Sequence, residues 1–397
     1  MNNETRKETQ VLPKDVRYVG ADDLTLPLFE NQYPVQPMGV SYNSYLILDE
    51  KVAVMDSVDA RTADEWLAKL AHELDGRSPD YLVISHMEPD HSGSILRLAE
   101  KYQEMKLVGN TKTFAMLRQF FGASAPANER LVEVGEGGTL SLGAHTLHFM
   151  LAPMVHWPEV MVAYEETEKL LFSADAFGRF GVLSRTAAAP WAPQARRYYY
   201  NIVGKYGAQV QALLKKAAAV DIRTVCPLHG PVLTGEALAE ALRLYDIWSS
   251  YGAETPGVVI AYASIYGNTE KAAQLLAQLL RDKGCPKVAM TCLQRDDWAE
   301  AVGDAFRYGK LVLAAPTYNG FLFPAMREFI EHLTERNYQN RQVAFIENGS
   351  WAPAAAREMK KLLEGCKNMT LGGTVTIRSA MDEAAPAQLA ALADELL

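Results

Sequence analysis

The sequence is poor in cysteine, has no long apolar run and carries no excess of basic charge. Its four cysteines, Cys226, Cys285, Cys292 and Cys366, are scattered through 397 residues and form no C-x-x-C pair. That spacing argues against a disulfide framework, a zinc knuckle or a rubredoxin-type iron site within the chain. No stretch approaches the roughly 20 apolar residues that a helix needs to cross a bilayer. Residues 1–10 are polar and charged, unlike the apolar centre of a signal peptide. Lys and Arg number 39 against 48 Asp and Glu, a formal net charge of −9. A general nucleic-acid or anionic-membrane binder needs the opposite sign. These absences predict a soluble protein of a reducing, cytoplasmic compartment, with neither nucleic acid nor membrane among its partners.

What is present is ordinary core material, 49% hydrophobic and 22% charged residues, in a chain long enough for two domains. The small, polar, turn-prone segment Ser249-Ser-Tyr-Gly-Ala-Glu-Thr-Pro-Gly257 separates two grammars, and predicts domains at 1–252 and 256–397. Before it, short β-type runs (44–48, 52–55, 81–85, 147–152, 170–173, 224–226) mix with amphipathic helices (63–74, 94–101, 209–218). That mixture predicts an α+β sandwich of sheets covered by helices. After it, strands at 258–263, 288–292, 311–315, 343–346 and 369–377 alternate with helices, the last at 386–397. Regular β-α alternation predicts a doubly wound parallel sheet.

The sharpest local signal is His86-Met-Glu88-Pro-Asp90-His91-Ser-Gly93, placed where the hydrophobic run Tyr81-Leu-Val-Ile-Ser85 ends. Four candidate ligands within six residues of loop can surround one site, whereas an extended strand sends alternate residues to opposite faces. His156, Asp175 and His229 each follow another β-type run. A lone histidine at a strand end is more often hydrogen-bonded than metal-bound. Packed together without a cation, however, these side chains bring unpaired charges into one buried place. Imidazole with carboxylate and no thiolate suits iron, manganese or zinc, and a carboxylate can bridge two cations. His72, His145, His148 and His332 lack this context and read as surface or structural residues.

Three further loops follow strands of the second region. Ser264-Ile265-Tyr266-Gly267-Asn268-Thr269 opens a helix and offers hydroxyls, an amide and backbone N–H groups to a phosphate. Pro316-Thr317-Tyr318-Asn319-Gly320 and Asn348-Gly349-Ser350-Trp351 end the third and fourth strands, so all three loops reach the carboxyl edge of one sheet. Tyr318 and Trp351 suit contact with a flat ring. No G-x-G-x-x-G turn provides for a dinucleotide pyrophosphate.

H-x-E-x-D-H followed by His, Asp and His resembles the metallo-β-lactamase fold in the variant used by flavodiiron proteins, and the resemblance spans nearly the whole chain. It implies an αββα metallo-β-lactamase-like sandwich followed by a flavodoxin-like domain. Hydrolases of this fold usually show H-x-H-x-D-H; here Glu88 stands in the second histidine's place. Carried over by position, the resemblance gives His86, Glu88 and His156 to one iron, Asp90, His91 and His229 to the other, and Asp175 to both. The three downstream loops are similar to those of flavodoxin and imply FMN. Trp157-Pro158 and Phe177-Gly178 are expected to wall the substrate pocket. Tyr198, Tyr199 and Tyr200 resemble a tyrosine-bearing helix near the irons, with Tyr198 and Tyr199 the candidate proton or hydrogen-bond donors.

The activity so implied is reduction of dioxygen to water or of nitric oxide to nitrous oxide, with electrons passing from an external donor such as rubredoxin through FMN to the di-iron site. The family arranges two chains head-to-tail, so that FMN of one lies near the irons of the other, which implies a homodimer or dimer of dimers. The competing readings are a metal-dependent hydrolase with a fused flavodoxin domain and a flavin/iron gas sensor without turnover.

Overall fold

In the computed structural model residues 12–186 and 189–397 are described, so residues 1–10, read above as lacking a signal-peptide core, lie outside them. The chain divides into two compact units, one of residues 1–199 and 208–246, the other of residues 200–207 and 247–397.

The first unit holds two six-stranded sheets whose spatial order follows the chain. One contains β1 (Val16–Tyr18), β2 (Tyr45–Ile47), β3 (Ala53–Met55), β4 (Tyr81–Val83), β5 (Lys106–Gly109) and β6 (Leu131–Glu133). The other contains β7 (Thr139–Ser141), β8 (Thr146–Leu151), β9 (Met161–Glu165), β10 (Leu170–Phe172), β11 (Thr224–Cys226) and β12 (Leu233–Thr234). Alternate residues of both sheets, among them Tyr45, Ile47, Met55, Leu147, Phe149, Met161 and Phe172, share one buried core. Period-two side chains from two inner faces make a sandwich. The helix expected at 63–74 is α1 (Ala63–Leu74), which buries Ala63, Trp66, Leu70 and Leu74 along one stripe.

The second unit carries one sheet in the order β14 (Val288–Cys292), β13 (Thr255–Tyr262), β15 (Tyr308–Tyr318), β16 (Gln342–Asn348) and β17 (Thr370–Ile377). Every neighbouring pair on this path is parallel. This is the flavodoxin-like doubly wound order, with its switch point between β13 and β15. Residues 258–262 of β13 are all buried, as a strand covered on both faces requires. Small residues Ala272, Ala273 and Ala277 let helix Asn268–Asp282 lie close against this core.

Candidate metal centre and cofactor cleft

Strand register brings the distant ligand candidates together. β10 and β11 run parallel with Phe172 opposite Cys226, and Asp175 and His229 each stand three residues further on. In the other sheet Met55 pairs with Val83 of β4, and His86 is again three residues beyond. Equal overhangs from parallel strands put the three side chains at one edge of the sandwich. Ser85 N–H donates to Asp56 Oδ1 at 2.7 Å, and Met161 N–H donates to the Ser85 carbonyl at 3.1 Å, which fixes the start of the His86 turn and ties β9 to it.

The segment expected as loop is partly helical. Pro89–Ser92 forms one helical turn, with Glu88 at its N-cap. Proline at the first helical position has its φ preset for this, and the turn carries Asp90 and His91 inward while Glu88 stays outside it.

Two ligand groups result: His86, Glu88, His156 and Asp175 in one, Asp90, His91 and His229 in the other. His156 Nε2 lies 3.0 Å from Glu88 Oε2 and 3.1 Å from Asp175 Oδ2; His86 Nε2 lies 3.3 and 3.5 Å from the same two oxygens. On the other side His91 Nε2 is 3.2 Å from both Asp90 Oδ2 and Asp175 Oδ1, and 3.1 Å from His229 Nε2. Donor atoms 3.0–3.5 Å apart match the edges, about 3.0–3.4 Å, of a polyhedron with bonds of about 2.1 Å. Asp90 Oδ1 and Oδ2, Asp175 Oδ1 and His156 Nε2 are buried and have no hydrogen-bond partner among the described residues. Buried carboxylates and imidazoles aimed at common points, without hydrogen bonds of their own, fit a cation pair.

The charge balance has the same sense. Burial alone raises the Glu88 and Asp175 carboxyls, but the histidines around them pull both below their ordinary values. Burial alone lowers His156, yet Asp175 and Glu88 take it up to about 9, and the same carboxylates with Glu159 raise His86. Protonation is thus favoured on His86, His91 and His156, where metal charge belongs.

In the second unit a cleft of about 590 Å³ opens at the carboxyl ends of β13, β15 and β16. Every residue expected at the cofactor lines it except Gly267, which caps helix Asn268–Asp282 at φ 87°, a left-handed conformation open to glycine. Gly267 N–H donates to Ser264 Oγ at 3.1 Å, closing the turn. Tyr266 and Trp351 stand 92% and 89% exposed at the rim.

The ODP family beta lactamase model matches residues 40–230, and the flavodoxin domain model matches residues 259–373. The chain is 31% identical over 359 residues to a rubredoxin-oxygen oxidoreductase of Megalodesulfovibrio gigas, covering 87% of each protein. The chain belongs to the flavodiiron protein family. A Moorella thermoacetica nitric oxide reductase is 27% identical, covering 89% of this chain and 88% of that one. The crystal structure of the flavodiiron protein from Giardia intestinalis superposes with a TM-score of 0.90 at 26% identity, covering 98% of this chain and 95% of that one.

Several residues of this flavodiiron site escaped the sequence reading. Glu159 Oε1 lies 2.7 Å from His86 Nδ1, and its spacing from His156 in the Trp-Pro turn was the available signal. Asn43 Nδ2 donates to the carbonyls of Pro227 and Gly230 at 2.8 and 2.7 Å, bracketing His229. Ala352 and Ser379 also line the cleft; Ser379 follows the fifth strand and exchanges hydrogen bonds with Asn348. A fourth strand-end loop was therefore legible in principle.

The three tyrosines separate. Tyr198 is buried 5.4 Å from the His229 ring, and its hydroxyl has no hydrogen-bond partner among the described residues. Burial first, then Asp175, Asp90 and Glu88, push its ionisation far up, so the phenol keeps its proton. Tyr199 packs edge-on against Tyr245, and Tyr200 stacks on Phe306 at 4.3 Å. Trp157 meets His86 edge-on at 5.2 Å, whereas Phe177 stacks on Tyr245 at 4.1 Å. Gly178 has no room for a side chain: a Cβ there meets the Asp175 carbonyl at 3.0 Å and Tyr198 Cε1 at 3.2 Å.

Proposed function

We propose that this chain takes electrons from an external carrier such as rubredoxin through FMN to a pair of iron ions, reducing dioxygen to water or nitric oxide to nitrous oxide. Asp175 carries the reading: its two oxygens face two groups that each supply two imidazoles and one carboxylate. We assign His86, Glu88 and His156 to one iron, Asp90, His91 and His229 to the other, and Asp175 to both. Residues 1–252 are then the di-iron domain and 256–397 the FMN domain. Two ferrous ions and one reduced FMN together supply four electrons, the number that takes dioxygen to two waters.

The chain's own groups do the remaining work. Tyr198 packs against His229 and presents a protonated hydroxyl in the field of Asp175, Asp90 and Glu88, suited to donate a hydrogen bond or proton to a reduced oxygen atom. Tyr199 is the second candidate donor, held one residue on by its packing against Tyr245. Trp157 covers the edge of His86 with apolar surface, which keeps water from that side. In the cleft, Ser264 and Thr269 at the start of a helix suit the FMN phosphate, and Tyr318 and Trp351 suit its ring.

A second copy of the chain, placed head-to-tail, completes the proposal. The exposure of Tyr266 and Trp351 beside the cleft supports a face covered by another surface. A monomer retaining full turnover with a reduced donor excludes it. Four unpaired cysteines support a reducing, cytoplasmic setting. The decisive experiment measures steady-state consumption of each gas, with iron and flavin content on the same sample. Repeated reoxidation with two irons and one FMN per chain is expected; zinc with hydrolytic activity, or binding without turnover, overturns the reading.

A further inference from the structure

The two ligand groups are matched in composition but differ in what stands behind their imidazoles. His86 Nδ1 lies 2.7 Å from Glu159 Oε1, with both side chains fully enclosed. His229 Nδ1 lies 2.8 Å from the carbonyl oxygen of Ser41. His91 Nδ1 is buried with no hydrogen-bond partner among the described residues. A carboxylate is therefore hydrogen-bonded behind one group, whereas the other has a carbonyl oxygen behind His229 and no hydrogen-bond partner among the described residues behind His91, the buried Asp56 carboxyl acting on His91 and His86 only through space.

The Glu159 carboxylate is held for this task. Its Oε1 also accepts from Met87 N–H at 2.9 Å, and its backbone carbonyl accepts from Asn110 Nδ2 at 2.6 Å. Its Oε2 is buried and has no hydrogen-bond partner among the described residues, so none of them dilutes the charge there. An imidazole that donates its far N–H to a carboxylate is fixed in the tautomer that leaves Nε2 free for metal, and it becomes a stronger electron donor there. Strong donation favours the ferric over the ferrous ion and tightens the hold on either.

Resting on the di-iron reading above, we propose that Glu159 is a positioning residue that makes the two irons unequal. The iron at His86, Glu88 and His156 is the more tightly held and the harder to reduce. An iron held by Asp90, His91 and His229 would therefore be the easier of the two to reduce. An iron held by the Glu159-backed group would need the stronger reductant.

The test uses the full chain loaded with FMN and iron-57. Iron retention is followed against increasing EDTA, and Mössbauer spectra are recorded during stepwise reduction by dithionite. The wild-type chain is expected to lose one iron at an EDTA concentration roughly 10- to 100-fold below the other, and to show one iron reduced before the other. Glu159→Gln keeps an acceptor for Met87 and His86 but removes the charge; it is expected to weaken and ease reduction of one iron while the other stays unchanged. Glu159→Asp, which restores the charge, is expected to fall between. Two equal irons in the wild type overturn the proposal without any variant. So do a Gln variant that alters neither iron or both equally, and an Asp variant indistinguishable from Gln. A wild-type chain that holds no iron pair fails the di-iron reading itself, before any variant is compared.

Discussion

Asp175 sets Oδ1 3.2 Å from Nε2 of His91 and turns Oδ2 to the opposite group, where it lies 3.1 Å from His156 Nε2. A carboxylate shared in this way has a different mutational signature from one that serves a single ion. Asp175→Ala is expected to cost both irons, whereas Glu88→Ala costs one and leaves FMN in place. Iron and flavin counted per chain distinguish the two; loss of FMN from the Glu88 variant contradicts independent sites.

The raised histidine makes metal-free stability depend on pH. His156 titrates near 9 when folded against 6.5 ordinarily, because Asp175 and Glu88 outweigh the effect of burial. Its contribution, about 3 kcal/mol, is fully present below pH 6.5 and is lost as pH rises through about 9. The melting temperature of metal-free protein should therefore fall over that interval. Iron takes the place of the proton, so the loaded protein should show no such fall and should bind iron more tightly as pH rises. Calorimetry of both forms across the interval checks this.

Asn43 reaches from the start of the chain to the turn around His229, donating through Nδ2 to two buried carbonyls. Asn43→Ala leaves those acceptors short of a donor, at a cost of about 2 kcal/mol. A lower urea midpoint and weaker iron retention at the His229 group are expected, with FMN affinity unchanged. An unaltered midpoint contradicts the bracing role.

Trp351 stands almost fully exposed beside the cleft, which suits a ring waiting for a flat partner. Trp351→Ala is expected to weaken FMN binding about tenfold, from lost ring contact and apolar burial. Titration of apoprotein with FMN, followed by flavin fluorescence, measures it; iron content should not move.

Tyr198→Phe removes only the buried hydroxyl. Iron and FMN content should stay constant while turnover falls on the order of 100-fold, the scale of a lost proton donor. Equal turnover in the Phe variant removes Tyr198 from the chemistry.

Much of this was written locally. The six residues from His86 to His91 sit on one strand-end turn, so side-chain type and spacing alone announced a metal site. Glu88 in place of histidine needed no coordinates either. The β-α alternation after residue 257 predicted a parallel sheet, because strands buried on both faces read as continuous apolar runs. The three cleft loops could be placed at one edge because parallel strands end on the same side.

What the tertiary structure decided is everything carried across strands. Asp175 and His229 meet because Phe172 pairs with Cys226, a register that no local pattern encodes. Glu159 stands behind His86, and Asn43 behind His229, across 73 and more than 180 residues of sequence. Tyr198 faces the metal groups while Tyr200 packs on Phe306, since successive residues of a helical turn point in different directions. Which residues are candidate ligands is a property of side-chain chemistry, legible residue by residue. The inequality of the two groups depends on distances between atoms far apart in the chain, and only the folded sandwich sets those.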